Sequence, residues 1–182
     1  EYGGAVLLDE ADRGAAGVWD IKCTPDNIII THSGIHEISI IDYNAFANKY
    51  ASVSDKESLS YDLRFLTGLR QRIPIKGNGP RNFAIDEEHA YIPTYFSDTL
   101  NIVDIHHPSG ITTTSLVNNR VESNIDKGEK YFNDATYCFQ NWQSCNGCHP
   151  GDARMDAMNW DLMNDGIGNS KNCKSLLLSH VT

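Results

Sequence analysis

Short runs of apolar, mostly β-branched residues recur through the first two thirds of the chain, each bounded by turn formers. Asn27-Ile28-Ile29-Ile30 follows Thr24-Pro25-Asp26, and Glu37-Ile38-Ser39-Ile40-Ile41-Asp42 follows Ser33-Gly34. Ala90-Tyr91-Ile92 and Thr99-Leu100-Asn101-Ile102-Val103-Asp104 repeat the arrangement around Ser97-Asp98. Runs of this length between turn residues predict strands joined as hairpins. They fall into two groups of three: one strand after Gly17 with others at 27–32 and 37–42, and one after Gly79 with others at 90–95 and 99–104. The groups superpose without a gap at an offset of 62 residues, which sets Gly17 on Gly79, Ile38 on Leu100, Ile40 on Ile102 and Asp42 on Asp104.

An antiparallel sheet repeated along a sequence is the mark of propeller blades. Gly17-Val18-Trp19-Asp20-Ile21 with Ile40-Ile41-Asp42, and Gly79-Pro80-Arg81-Asn82-Phe83-Ala84-Ile85 with Ile102-Val103-Asp104, resemble the blades of YVTN-type β-propellers of exported proteins over about residues 15 to 108. The offset exceeds the usual blade period of about 40–45 residues. The excess lies between Tyr43 and Ile75, where Ser54-Asp55-Lys56-Glu57 reads as a capping box followed by Leu59, Leu63, Leu66 and Leu69 at helical spacing. The expectation is an inserted helix over about 54–70, packed on the propeller rim rather than acting as a lid or docking element. Because a ring takes roughly four to eight blades, the chain is expected to be a fragment, or to receive its remaining blades from elsewhere.

Beyond His107-Pro108-Ser109-Gly110 the pattern changes. Ile111 to Leu116 reads as the last blade's closing strand and Asn118 to Ser123 as a linker. From Asn124 or Asp126 a helix carries Ile125, Gly128, Phe132 and Ala135 on one face. Then comes Cys145-Asn146-Gly147-Cys148-His149, the attachment pattern of a c-type haem. Two thiols two residues apart can add to the two vinyl groups of one porphyrin, and the adjacent imidazole then faces the iron. A redox dithiol, half of a zinc site or a vestigial motif remain alternatives. Gly128-Glu129-Lys130-Tyr131-Phe132, the Cys145–Pro150 run, Asp165-Gly166-Ile167-Gly168 and Lys171-Asn172-Cys173-Lys174-Ser175-Leu176-Leu177 resemble the first haem domain of di-haem cytochrome c peroxidases and their MauG-like relatives. The resemblance implies a multidomain β + α chain: blades over 1–117, then a small all-α cytochrome c-like domain over 118–182, truncated at its C-terminus. A Gly128–Phe132 pair would let a later helix cross closely. The family's second haem motif is absent from this sequence, so peroxidase activity of this chain alone is not expected.

Candidate site residues follow from that picture. Cys145 and Cys148 would hold haem c and His149 would be the proximal ligand. Candidates for the iron's sixth position are Met155, Met158, Met163 and His180, and each Met is equally well a packing residue. Trp142 and Trp160 would wall the porphyrin. Arg154, Lys171 and Lys174 would pair with its propionates or stay solvated. Cys138 and Cys173 would form a clamping disulfide or stay as buried thiols. Cys23 reads as a core residue, and His32, His36, His106 and His107 as propeller-loop histidines. Asp152, Asp156, Asp161, Asn164, Asp165 and Asn169 make an oxygen-rich loop that can bind Ca²⁺, though the spacing matches no EF-hand.

A net charge of −9 argues against a nucleic-acid partner, and no run of 18 apolar residues offers a transmembrane segment. The chain opens at Glu1-Tyr2-Gly3-Gly4 and stops just past Leu176-Leu177-Leu178, which reads as a processed or truncated piece of a longer protein. Haem c is attached outside the cytoplasm, so a periplasmic, extracellular or cell-surface location follows from the motif. The expected function is electron transfer, with a redox partner protein or peroxide as the other reactant. It would belong to a peroxidase-like oxidoreductase once a second haem domain is present. The alternative is a propeller-based binding module in which the haem domain is secondary.

Overall fold

The computed structural model describes residues 3–161, 166–168 and 170–179. Its first 117 residues are dominated by two four-stranded antiparallel sheets, each with its strands in sequential order. The first holds β1 (Val18–Cys23), β2 (Asn27–His32), β3 (Glu37–Asp42) and β4 (Arg70–Pro74); the second holds β5 (Ala84–Ile85), β6 (His89–Thr94), β7 (Thr99–Asp104) and β8 (Ile111–Ser115). The repeat holds down to register: β2 pairs with β3 from Asn27↔Asp42 to His32↔Glu37, and β6 pairs with β7 from His89↔Asp104 to Thr94↔Thr99. In both copies the loop between them ends on a residue in the left-handed region, His36 and Asp98. Sequential four-stranded sheets of this kind are compatible with propeller blades.

The equivalent glycines are required by space as well as by conformation. Gly17 and Gly79 have φ of 73° and 72°, and a Cβ would stand 2.4 Å from Gly34 N in the first copy and 2.4 Å from the Phe96 ring in the second.

The main core lies where one face of each sheet meets the other. Ile29, Ile38, Ile40 and Ile73 of the first sheet pack with Ala90, Ile92 and Val103 of the second, joined by Ile75, Phe83 and Ile105. Alternation along each strand sends the remaining apolar residues of the first sheet to its other face. There Ile30 and Ile41 pack with Leu59, Phe65 and Leu66 from the stretch between β3 and β4.

That stretch differs from the expected helix over 54–70. The α-helix, α1 (Tyr43–Ser52), begins directly after β3, capped by Asp42, whose Oδ1 accepts from Ala45 N at 2.8 Å. Residues 54–69 contain only a 3-10 turn at Glu57–Tyr61 and further turns, and Arg70 already belongs to β4. The cause is local: Asp55 accepts from Glu57 N and Asp62 accepts from Arg64 N. Such short side-chain bonds compete with a helical ladder. Leu59 and Leu66 are nonetheless buried, so the apolar spacing marked the core contacts correctly while misnaming the backbone.

A distinct all-α domain, expected over 118–182, is not shown by the described residues. This part holds α2 (Asn124–Asn133), the one-turn helices α3 (Cys145–Cys148) and α4 (Pro150–Ala153), two short 3-10 turns, and a two-residue ladder between β9 (Asn159–Trp160) and β10 (Lys171–Asn172). Of the described side chains beyond residue 117, only Asp134 and Ala135 are buried. No apolar cluster belongs to this segment alone among the described residues, and Ala135 packs with Ala15 and Ile35 of the first sheet's loops.

The segment is pinned to the sheets by main-chain bonds, the His36–Asp134 contact and the Arg120–Asp98 ion pair. Ala135 N donates to Gly34 O at 2.8 Å, Gly14 N donates to Gln140 O at 2.7 Å, and His36 Nε2 lies 3.2 Å from Asp134 Oδ2. Gly79 N donates to His36 Nδ1 at 3.0 Å, which leaves the proton on Nε2 to be given to Asp134. His36 therefore joins both sheets to the C-terminal segment.

Candidate cofactor-attachment site

The Cys145–His149 motif folds as a single helical turn. His149 N donates to Cys145 O at 3.0 Å, closing an i to i+4 ring. Residues three and four apart on such a turn share a face, so Cys145, Cys148 and His149 point the same way. Cys145 is exposed and Cys148 half-buried. His149 Nδ1 lies 3.3 Å from the Arg154 carbonyl oxygen, an acceptor, so Nδ1 bears the proton and Nε2 keeps its lone pair. A metal-ligating histidine is usually held in this way, its other ring N–H given to a carbonyl, carboxylate or water that fixes the tautomer. Arg154 thus bears on the site through its main chain, while its side chain is exposed.

Cys173 joins the motif. Its Sγ donates to Cys148 O at 3.0 Å and lies 3.7 Å from both ring nitrogens of His149. It does not pair with Cys138: all five cysteines are free thiols, and Cys138 is exposed rather than buried. Burial first, then the charges of Cys173 and Asp156, pushes the Cys148 thiol above its ordinary pKa.

A cleft of about 540 Å³ opens beside this turn. One wall comes from the segment itself, with Gly128, Glu129 and Phe132 on α2, Asn146 in the motif, and Gly151 and Ala153 on α4. The other wall is Trp19 on β1 and Arg81 before β5. No helix crosses at Gly128, as the Gly128–Phe132 pair led one to expect; a Cβ there would meet no atom within 4 Å, and the position borders the cleft instead.

Trp142 and Trp160 do not line the cleft. Each indole is tied down locally, Trp142 Nε1 donating to Gln140 Oε1 at 3.0 Å and Trp160 Nε1 to Asp156 Oδ2 at 2.7 Å. Met155 and Met158 are exposed. Met163 and His180, the other two candidates for a sixth ligand, lie outside the described residues, as do Asn164, Asp165 and Asn169 of the oxygen-rich loop. Among the described residues, no group of three or more His, Cys, Asp or Glu side chains is arranged to hold a metal ion.

Sequence reasoning missed Trp19 and Arg81. The signal was present: at the offset of 62 residues, Trp19 superposes on Arg81 and Asp20 on Asn82. The two copies meet at these positions. Trp19 Nε1 donates to Asn82 Oδ1 at 3.3 Å, and Phe83 N donates to Asp20 Oδ2 at 3.3 Å.

The residues present fit a haem c. Both thiols and the imidazole lie on one turn, His149 Nε2 carries the ring's lone pair with Cys173 Sγ 3.7 Å away, and the turn's Asn146, rather than the three ligating side chains, lines a cleft within the roughly 300–1,000 Å³ of cofactor pockets. No family model matches the chain, and no curated protein does. Among solved structures, the chain is similar to a chain of Kuenenia stuttgartiensis hydrazine synthase, with a TM-score of 0.48 and 23% identity over 54% of this chain. The match takes in 30% of the other chain, so this chain spans less than a third of that protein's length.

Proposed function

We propose that this chain is part of an exported c-type haem protein that transfers electrons, with Cys145 and Cys148 as thioether sites and His149 as proximal ligand. The observation that carries it is the single turn that sets both thiols and a carbonyl-held imidazole on one face beside a cleft. A haem bound there supplies one-electron chemistry at its iron. The chain's own contribution is positional. The i, i+3, i+4 spacing aims the three ligating groups, Arg154 O fixes the imidazole tautomer, and Phe132 with Trp19 offers aromatic contact.

The competing dithiol reading is weakened by the environment of Cys148, since a reactive thiol needs a lowered pKa and burial drives this one upward. The sheets would be blades of a larger propeller. Edge strand β1 exposes Val18 and Ile21, at 52% and 58%, and the chain after β8 exposes Leu116 at 55%. Apolar edges of this kind call for cover, and further blades would give it. A second haem domain would make the assembly peroxidase-like, with a redox protein or peroxide as the other reactant, in the periplasm or at the cell surface.

The test is an intact mass and a pyridine haemochrome spectrum of protein exported from a host able to attach haem c. One covalent haem per chain is expected, lost in Cys145→Ser/Cys148→Ser. Exported protein without a tetrapyrrole adduct would end this assignment. A reduced-minus-oxidised spectrum with and without peroxide then separates a relay from an open catalytic iron. The second function, a propeller-based binding module, is favoured by the exposed aromatics Trp19 and Tyr95 flanking Arg81. It prevails if the double serine variant keeps all partner binding and activity.

A further inference from the structure

Arg81 is a cation placed on an aromatic surface with no carboxylate beside it among the described residues. Its guanidinium carbon lies 4.3 Å from the Trp19 ring centroid, 3.5 Å from that of Tyr95 and 5.3 Å from that of Phe96. Its Nε is buried and has no hydrogen-bond partner, and no carboxylate pairs with it among the described residues. An orphaned donor of this kind costs about 1–3 kcal/mol or more unless something bonds it. The backbone beneath it is fixed independently of the side chain, because Thr31 Oγ1 donates to Arg81 O at 2.9 Å. The Trp19 indole is fixed in turn through Asn82. Both residues face the cleft whose opposite wall carries Gly128, Glu129 and Phe132. Glu129 makes that wall acidic, so a carboxylate entering the cleft is driven toward Arg81.

We propose that Arg81 is the carboxylate anchor of this cleft, pairing with an acid group on a flat aromatic macrocycle that lies between Trp19 and α2. The inference rests on the haem reading above and deepens it. The sheet, through Arg81, would hold the acidic edge of the group that Cys145 and Cys148 attach, a role the sequence had given to Arg154, Lys171 and Lys174. A guanidinium stacked on rings presents its donors in the ring plane, which suits bidentate capture of a carboxylate. A lysine at 81 would keep the charge and lose the fork.

The experiment uses the full chain with Cys145→Ser/Cys148→Ser, so that attachment plays no part, and two probes, protoporphyrin IX and its dimethyl ester, titrated by quenching of tryptophan fluorescence. The free acid is expected to bind on the order of tenfold more tightly than the ester. Arg81→Gln should abolish that preference with an unchanged unfolding midpoint, Arg81→Lys should keep part of it, and Glu129→Gln should strengthen acid binding. The proposal is overturned if the two probes bind alike, if neither binds, or if Arg81→Gln retains the preference. A separate arm, the haemochrome assay on exported native sequence, reports on the haem assignment itself. An Arg81-dependent acid preference without a covalent adduct upholds the anchor and removes the haem.

Discussion

His32 shows how far a residue's surroundings can depart from its place in the sequence. Read as a propeller-loop histidine at the end of the strand 27–32, it is the last residue of β2 as expected but is fully buried. Nδ1–H donates to Ala15 O at 3.2 Å and Nε2 accepts from Ser39 Oγ at 2.8 Å, which satisfies the neutral ring and leaves no site for a second proton. Burial, with Arg70 and Arg72 nearby, pushes its pKa down to about 4. The unfolded chain titrates near 6.5, so between those values it binds the proton that the folded chain refuses. Stability from this residue is therefore complete above about pH 6.5 and declines as the pH falls to about 4, by about 3 kcal/mol. Urea unfolding at pH 7 and pH 5 checks this: the wild type should weaken at pH 5, and His32→Asn should lose most of that slope. Cys23, expected in the core, is exposed for a related non-local reason. It sits on edge strand β1, which alternates exposed and half-covered positions rather than buried ones. Burial of both residues depends on what folds over their strand, and no local pattern records that.

Strands and their pairing were legible because each carries its own period and turn residues. The same Asp that closes β3 and β7 has two different sequels. Asp42 Oδ1 caps α1, whereas Asp104 Oδ1 accepts from His106 N and His107 N at 2.8 Å each and tightens a turn. A motif read from the repeat could not separate these outcomes, so the helix was sought twelve residues too late. The strand β4 was missed as well, since Arg70-Gln71-Arg72 has no apolar signature. Its arginines are buried by pairing instead. At α2, of the two starts the sequence offered, Asn124 and Asp126, the helix takes Asn124, because Ser123 and Asp126 form a capping box in which each side chain bonds the other's backbone N–H. Ser123→Ala should cost about 1 kcal/mol of helix stability, read as faster amide exchange across 124–128 with the sheets unaffected. The motif turn was legible from spacing alone. The cleft beside it was not, because Trp19 and Arg81 reach it from another part of the chain.

Across the whole molecule, the described stretch before β1 is fastened to the first sheet by charge, through Glu10 and Arg13. Buried Glu37 pairs with Arg13 and, at 2.9 Å, with Arg72; Glu10 pairs with Arg70 and, at 3.3 Å, with Arg72. Arg72 also donates to Arg13 O and Gly14 O. Glu37→Gln takes the carboxylate from Arg13 and Arg72 while Glu10, Arg13 O and Gly14 O still hold Arg72, and should cost about 1–3 kcal/mol in denaturant unfolding. Gly14 is the contact through which this strap meets the C-terminal segment: a Cβ there would stand 2.4 Å from Asn141 O and 2.5 Å from Trp142 Cα. Gly14→Ala should loosen the segment, seen as quicker proteolysis after residue 142 while a sheet fragment persists. Ala135, wedged against Ala15 and Ile35, is the one apolar side chain sealed away in everything described beyond Val117. The carboxyl-terminal third is therefore held by this one apolar peg and a few polar ties, the Ala135–Gly34 and Gly14–Gln140 main-chain bonds and the His36–Asp134 and Arg120–Asp98 pairs. Pulled or nicked, it should peel off at a force or dose that leaves the paired sheets standing, so the sheets can act as a finished platform before the tail has settled onto it.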